Sequence, residues 1–238
     1  EPMKGGYGDN YYMQMIGYIR RFKGMSQAPT PSCPAKGDSA IGPEFGFWRD
    51  VTAEYKDFEG KTAPRNHPGY GELHYENDTG RNGLTAFKTA HTDDYLCFYA
   101  RTSAPIETSP DGNRMTLLIR TEDGEEREER EERESWEGFH YIVNRQAAGE
   151  KDTLLERCAG GWSWEPVARV RCASNGNEWQ VAIPRALLGM EKSERGRKLA
   201  FKWTDNSGAD GDPMDFYQYG DVAPAGRLYY EYEIRQGE

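Results

Sequence analysis

Apolar residues recur at two spacings along this chain. Over most of it they alternate with polar ones in short runs, as in Leu96, Phe98 and Ala100, in Met115, Leu117 and Ile119, and in Trp179, Val181 and Ile183. A period of two places such a set on one face of a strand. Residues 73–76, 86–90, 139–143, 154–157, 167–172 and 228–234 carry similar runs, as do Leu199, Phe201 and Trp203, while Trp48, Val51 and Ala53 suggest the first strand. Polar punctuation separates them: 77–83, Thr92-Asp93-Asp94, Asn175-Gly176, and Pro184 as a stop. Roughly ten strands at intervals of about 8–15 residues, with almost no long helix, predict an all-β protein, a two-sheet antiparallel β-sandwich. Its expected core is Leu96, Phe98, Leu117, Ile119, Val181, Ile183, Phe201 and Trp203.

The second spacing is helical and confined to the N-terminal end. Tyr12, Met15, Ile16, Ile19 and Phe22 form an apolar stripe behind Asp9, which can cap the first turn. Arg20, Arg21 and Lys23 put cations where the helix dipole favours them, and Gly24 stops the helix. The stripe is too large for water, so the helix is expected to dock on the sandwich, on a second copy in a homo-oligomer, or on an upstream module. Residues 25–43 are Pro/Ser/Ala/Gly-rich and read as a linker. The expected organisation is therefore a helix in 1–24, a linker in 25–43 and a β-sandwich over 44–238. The start at Glu1, with no Met and no signal peptide, reads as a processed form or an excised fragment.

Charge narrows the partners. The 238 residues carry a net charge of −10, which disfavours nucleic acid and anionic membrane surfaces alike. Residues 122–134 hold nine acidic residues and three arginines, a solvated excursion or an acidic cation-binding patch. No apolar run reaches the length of a bilayer span. The four cysteines (Cys33, Cys97, Cys158, Cys172) lack zinc spacing. Cys97 reads as a buried small hydrophobe, and Cys158 and Cys172 flank a turn-rich segment that a disulfide could close.

Candidate chemistry concentrates in 199–234. A strand pattern breaks there at Thr204-Asp205-Asn206 into a loop with Asp210, Asp212, Asp215, Phe216, Tyr217, Tyr219 and Asp221. Carboxylates of this density can hold Ca2+, for which Asp205, Asp210, Asp212 and Asp215 are the candidate ligands; the same residues are also ordinary turn formers. Flat rings stack on the C–H face of a sugar, which makes Trp136, Trp162, Trp164, Tyr217 and Tyr219, with Asn206 beside them, candidates for saccharide binding. Packing at a sandwich corner is the alternative for Trp162 and Trp164, and a strand-start core position for Trp136. Trp48, Trp179 and Trp203 read as core. The four histidines are scattered, and no catalytic motif is present, so no catalytic residue is assigned.

The order of motifs adds to this. Trp48-Arg49-Asp50-Val51, Asp93-Asp94-Tyr95-Leu96, Met115-Thr116-Leu117-Leu118-Ile119, Trp136-Glu137-Gly138, Asn144-Arg145, EWQVAIP (178–184), FKWTDN (201–206) and GDVAP (220–224) follow one another. Over residues 45–234 this series resembles a family 9 carbohydrate-binding module, related to the DOMON superfamily of β-sandwiches. The resemblance implies a secreted or cell-surface, non-catalytic module that binds a poly- or oligosaccharide, often carries structural calcium and is often appended to a polysaccharide-degrading enzyme. It also makes residues 9–24 look like the tail of an upstream catalytic module. This chain departs from the family at the two clamp tryptophans. The approach to the Met115 strand is Ser109-Pro110-Asp111-Gly112-Asn113, the last loop offers Phe216, Tyr217 and Tyr219, and Arg120 stands where an Asp is usual.

Two other functions fit the same pattern. One is a purely structural sandwich packed against a catalytic partner, which the absent clamp favours. The other is a haem-binding, electron-transfer domain of the DOMON type, using Met115, Met190 or Met214 with His140.

Overall fold

The computed structural model describes residues 8–26, 29–35, 41–42, 44–57, 65–69, 71–77, 80–108, 112, 114–121, 136–146, 149, 151–191, 196–207, 214–226 and 228–235. The acidic run 122–134 lies outside them, as do Asp210 and Asp212. The described elements are a helix α1 (Gly8–Phe22) and strands β1 (Glu54–Lys56), β2 (Arg65–Pro68), β3 (His74–Asn77), β4 (Leu84–His91), β5 (Tyr95–Thr102), β6 (Arg114–Thr121), β7 (Tyr141–Val143), β8 (Asp152–Gly160), β9 (Ser163–Asn175), β10 (Glu178–Pro184) and β11 (Arg197–Ser207). A short helix α2 (Met214–Gln218) and strands β12 (Val222–Ala223) and β13 (Tyr230–Ile234) complete the order, with one-turn 3-10 helices at Phe45–Arg49, Trp136–Gly138 and Arg185–Leu188.

The predicted all-β antiparallel sandwich is present, and its two layers are halves of one sheet. Eleven strands run in the order β1-β4-β5-β10-β9-β8-β7-β6-β11-β12, with β13 also on β11, while β2 and β3 form a separate hairpin. The long middle strands β8 and β9 carry bulges at Leu155/Glu156 and Cys158/Gly160, which bend the sheet. It curls until its ends meet: the Tyr55 hydroxyl of β1 donates to the Glu231 carbonyl of β13 at 2.7 Å. Aromatic pairs bridge the halves, Phe87 on Trp203 at 6.0 Å, Trp179 on Trp203 at 5.5 Å and Phe98 on Phe201 at 5.4 Å. All eight expected core residues lie in the one large inner cluster.

The strand boundaries depart from the pattern at several points. Trp48 belongs to the 3-10 turn Phe45–Arg49, and β1 begins only at Glu54. The strand expected to break at Thr204 continues through a bulge to Ser207. No disulfide links Cys158 to Cys172: all four cysteines are free, Cys158 lying opposite Trp164 and Cys172 opposite Val181 in the ladders. Cys97 is fully buried, as expected. Within the stretch read as linker, residues 33–35 run beside β4, with Ala35 N donating to His91 O at 2.7 Å and His91 N to Cys33 O at 3.1 Å.

Apolar outward positions on the sheet are covered by two smaller clusters. Trp48, Val51, Ile41, Ala90, Cys97, Tyr99 and Ala182 form one, beneath Phe45 and Phe47. Leu118, Phe139 and Ile142 form the other, beneath Trp136, Trp162, Trp164 and Tyr229.

Helix α1 ends as read, with Gly24 left-handed (φ 62°) and Met25 N returning to Arg20 O. It meets the sandwich through polar groups, the Tyr18 and Tyr229 hydroxyls at 2.8 Å and Arg21 with Glu231 at 3.7 Å. Phe22 remains 92% exposed. Contacts this exposed hold weakly, so Tyr18→Phe is expected to change the melting temperature by less than a degree or two while speeding amide exchange in residues 15–22. A whole-domain loss of about 1 kcal/mol or more, the upper end for an exposed hydrogen bond, would contradict that.

Candidate functional site

A concave surface among the described residues follows from strand register. On the outer face, Glu54 pairs with Lys88, Lys88 with Tyr99 and Tyr99 with Gln180, so β1, β4, β5 and β10 bring one row of side chains together. Two residues along, Ala86, Arg101, Glu178 and Asn175 form the adjacent row. Rows in neighbouring strands stand about 4.8 Å apart, close enough for their side chains to line a common floor. The 3-10 turn Phe45–Arg49 rises beside this floor as a wall. Together they enclose about 620 Å3 lined by Glu44, Phe45, Trp48, Arg49, Glu54, Lys88, Tyr99, Arg101, Asn175 and Glu178, among others. That volume suits a small organic ligand.

The wall is fixed by hydrogen bonds across the fold. Trp48 Nε1 donates to Gln180 Oε1 at 2.6 Å, and Gln180 Nε2 to Gly42 O at 2.8 Å. Lys88 Nζ donates to Trp48 O at 2.8 Å and sits 3.6 Å from Glu54. Phe45 stands edge-on to Tyr99 at 6.3 Å, and Trp48 tilts against Tyr99 at 5.3 Å. The Tyr99 hydroxyl donates to Glu178 Oε1 at 2.5 Å. Burial first, then that carboxylate, push its pKa up, so the hydroxyl keeps its proton.

The rings singled out in the sequence do meet, but on each other. Trp136 contacts Trp162 at 5.0 Å (83°), and Trp162 contacts Trp164 at 5.3 Å (89°). Trp136 also meets Phe216 at 5.6 Å and Tyr217 at 6.2 Å. Perpendicular rings at such distances pack edge to face, and they cover Leu118, Phe139 and Ile142 beneath them. Tyr217 lies over Lys202, its hydroxyl donating to Gly226 O at 3.1 Å. Tyr219 is 46% exposed and makes no ring contact among the described residues.

Asp205 and Asn206 are both engaged within the fold. Asp205 is 1% exposed; its Oδ2 accepts from Arg81 Nη2 at 3.0 Å and its Oδ1 from Asn82 Nδ2 at 3.0 Å. Burial pushes its carboxyl up, and Arg81 and Asn82 pull it back. Asn206, left-handed at φ 68°, accepts from the same guanidinium at 3.0 Å. Arg81 and Asn82 belong to the polar segment 77–83, whose Asn77 donates to Gly220 O at 2.9 Å. Gly220 has to be glycine, because a Cβ would stand 2.1 Å from Asp205 O. The end of β11 is thus tied to residues 81–82 through a guanidinium and a side-chain amide. Asp215 sits half-buried in α2, and among the described residues no three His, Cys, Asp or Glu side chains converge on a metal position. Met115 and Met190 are packed in the core, and His140 Nδ1 accepts from the Thr121 amide at 3.3 Å.

None of the groove residues was among the candidate binding residues of the sequence, although Trp48, Arg49 and Glu178 fall in the motif series. The available signal was the outward set of a strictly alternating strand, Tyr95, Cys97, Tyr99 and Arg101, whose last two members are bulky and polar.

No family model matches the chain, and no curated protein matches it in sequence. Among solved structures it is similar to a family 9 carbohydrate-binding module from Caldicellulosiruptor kristjanssonii in complex with glucose. That match is 12% identical over 88% of this chain and 97% of the other, with a TM-score of 0.42. Likeness of that degree transfers no residue role to this chain.

Proposed function

We propose that this chain is a non-catalytic saccharide-binding module whose ligand lies in the groove over β1, β4, β5, β10 and β9. The observation that carries the reading is the lining: the Phe45 ring in one wall, backed by Trp48, above a floor of Glu54, Lys88, Tyr99, Arg101, Asn175 and Glu178. Sugar rings offer apolar C–H faces and vicinal hydroxyls that both donate and accept. Rings meet the first, and planar carboxylate, amide and guanidinium groups meet the second. The motif order read from the sequence points the same way.

Binding is favoured over hydrolysis by the state of two groove carboxylates, Glu54 and Glu178. Each is already engaged, by Lys88 and by Tyr99. The module works outside the cell beside a polysaccharide-active enzyme in this reading.

Electrophoresis through gels loaded with soluble polysaccharides tests it. At least one polysaccharide should retard the protein without release of reducing sugar. Phe45→Ala should weaken retention about tenfold, a loss of roughly 1.4 kcal/mol, while Tyr219→Ala leaves it unchanged. Mobility unaffected by every polysaccharide would leave only a structural sandwich. Retention that depended on Tyr219 would move the site to loop 205–221.

A further inference from the structure

The charges lining the groove do not cancel side chain by side chain. Three carboxylates (Glu44, Glu54, Glu178) face three cations (Arg49, Lys88, Arg101). Lys88 is taken up by Trp48 O and Glu54, and Glu178 accepts the Tyr99 hydroxyl. Arg101 lies opposite Glu178 across the β5–β10 pair, yet its guanidinium makes neither a hydrogen bond nor an ion pair among the described residues. Arg49, on the wall, makes none either. Two guanidinium forks are therefore open to the groove against one uncommitted carboxylate, Glu44.

An open fork has a chemical preference. Guanidinium is planar, permanently charged and weakly hydrated, and its paired N–H groups match the two oxygens of a carboxylate or sulfate. A neutral ring would leave most of that capacity facing water. The overall charge of −10 opposes an approaching anion, but at physiological salt the field of distant carboxylates is screened within about 8 Å, so the groups inside the groove decide.

We infer that the groove takes an acidic saccharide, with the carboxylate of a uronate or the sulfate of a sulfated sugar held by Arg101 together with Arg49. The inference rests on the saccharide-binding reading and names the class of ligand for that site. Both anions share the recognition chemistry, and the test separates them.

Titration calorimetry on the full chain would compare uronate oligosaccharides with their carboxyl-reduced counterparts, and sulfated with unsulfated galactan oligomers. One acidic member should bind at least tenfold more tightly than its neutral match, with affinity falling as salt rises. Arg101→Gln should abolish the preference at an unchanged melting temperature. Arg101→Lys, which keeps the charge and loses the fork, should retain only part of it. A preference within the uronate pair assigns the carboxylate, and one within the galactan pair assigns the sulfate. Equal binding of charged and neutral members, or an Arg101→Gln protein that still discriminates, would overturn the inference and leave saccharide binding standing. Absence of binding to every oligomer, neutral ones included, would end both.

Discussion

Asp205→Ala is expected to destabilise the protein by about 3–5 kcal/mol, the range for breaking one side of a buried ion pair. The Arg81 side chain is only 13% exposed and would keep its charge with Asp205 gone; Asn82 would lose an acceptor as well. The loss should spread, since Arg81 and Asn82 join segment 77–83 to the end of β11 and, through Asn77 and Gly220, to the chain beyond α2. Chemical denaturation gives the energy directly. Repeating the melt in calcium and in chelator separates an arginine-held loop from a metal-held one. Equal losses in both are the expected result, and a loss seen only in calcium would return Asp205 to a cation.

The second large effect is a dependence on pH. Lys202 is fully buried, with Nζ donating to Pro224 O at 3.1 Å and to Gly226 O under the Tyr217 ring. Burial pushes its pKa down from 10.5 to about 8, with Glu137 and Asp57 pulling the other way. The unfolded chain holds that proton up to 10.5 while the folded chain gives it up near 8. Stability contributed by this residue therefore rises between pH 8 and 10.5, by up to about 3 kcal/mol. Buried Cys97 and half-buried Cys172 have thiols pushed up to about 12 and about 11, and the Tyr55 and Tyr232 hydroxyls are raised too. Those groups act in the opposite sense from about pH 9 upward. They are common to wild type and Lys202→Met, so the difference between the two stability profiles isolates the lysine. Relative to wild type, Lys202→Met should be more favourable at pH 7 than at pH 10 by about 2–3 kcal/mol. A difference flat across that window would show that the ammonium is not disfavoured where it sits.

Much of the fold was legible because alternation is a local signal. Leu96, Phe98, Leu117, Ile119, Val181 and Ile183 announce an inner face whatever strands they pair with. Loops resisted. Asp205 carries the composition of a surface turn, and only the arrival of Arg81 from 124 residues away makes it a buried anion. Trp136, Trp162 and Trp164 were readable as rings meant for a surface, and they do converge. Whether converging rings leave a slot or fill it depends on angles that spacing does not encode. The groove was least legible of all, because Glu54, Lys88, Tyr99 and Gln180 become neighbours only through the order β1-β4-β5-β10. A one-residue slip in any of those pairs would turn a floor residue inward.

The hydrogen bond between Trp48 and Gln180 closes a chain separation of 132 residues. Contacts of that span form late, once the loop-closure entropy of everything between them has been overcome. A growing polypeptide would present the wall long before the strand that completes the floor. Truncations that stop before β10 could retain β4, β5 and much of their hydrogen bonding and still offer no cavity at all. Under the proposed function, ligand binding would report on completion of the sandwich, and the fraction of molecules that bind would measure how many have finished folding.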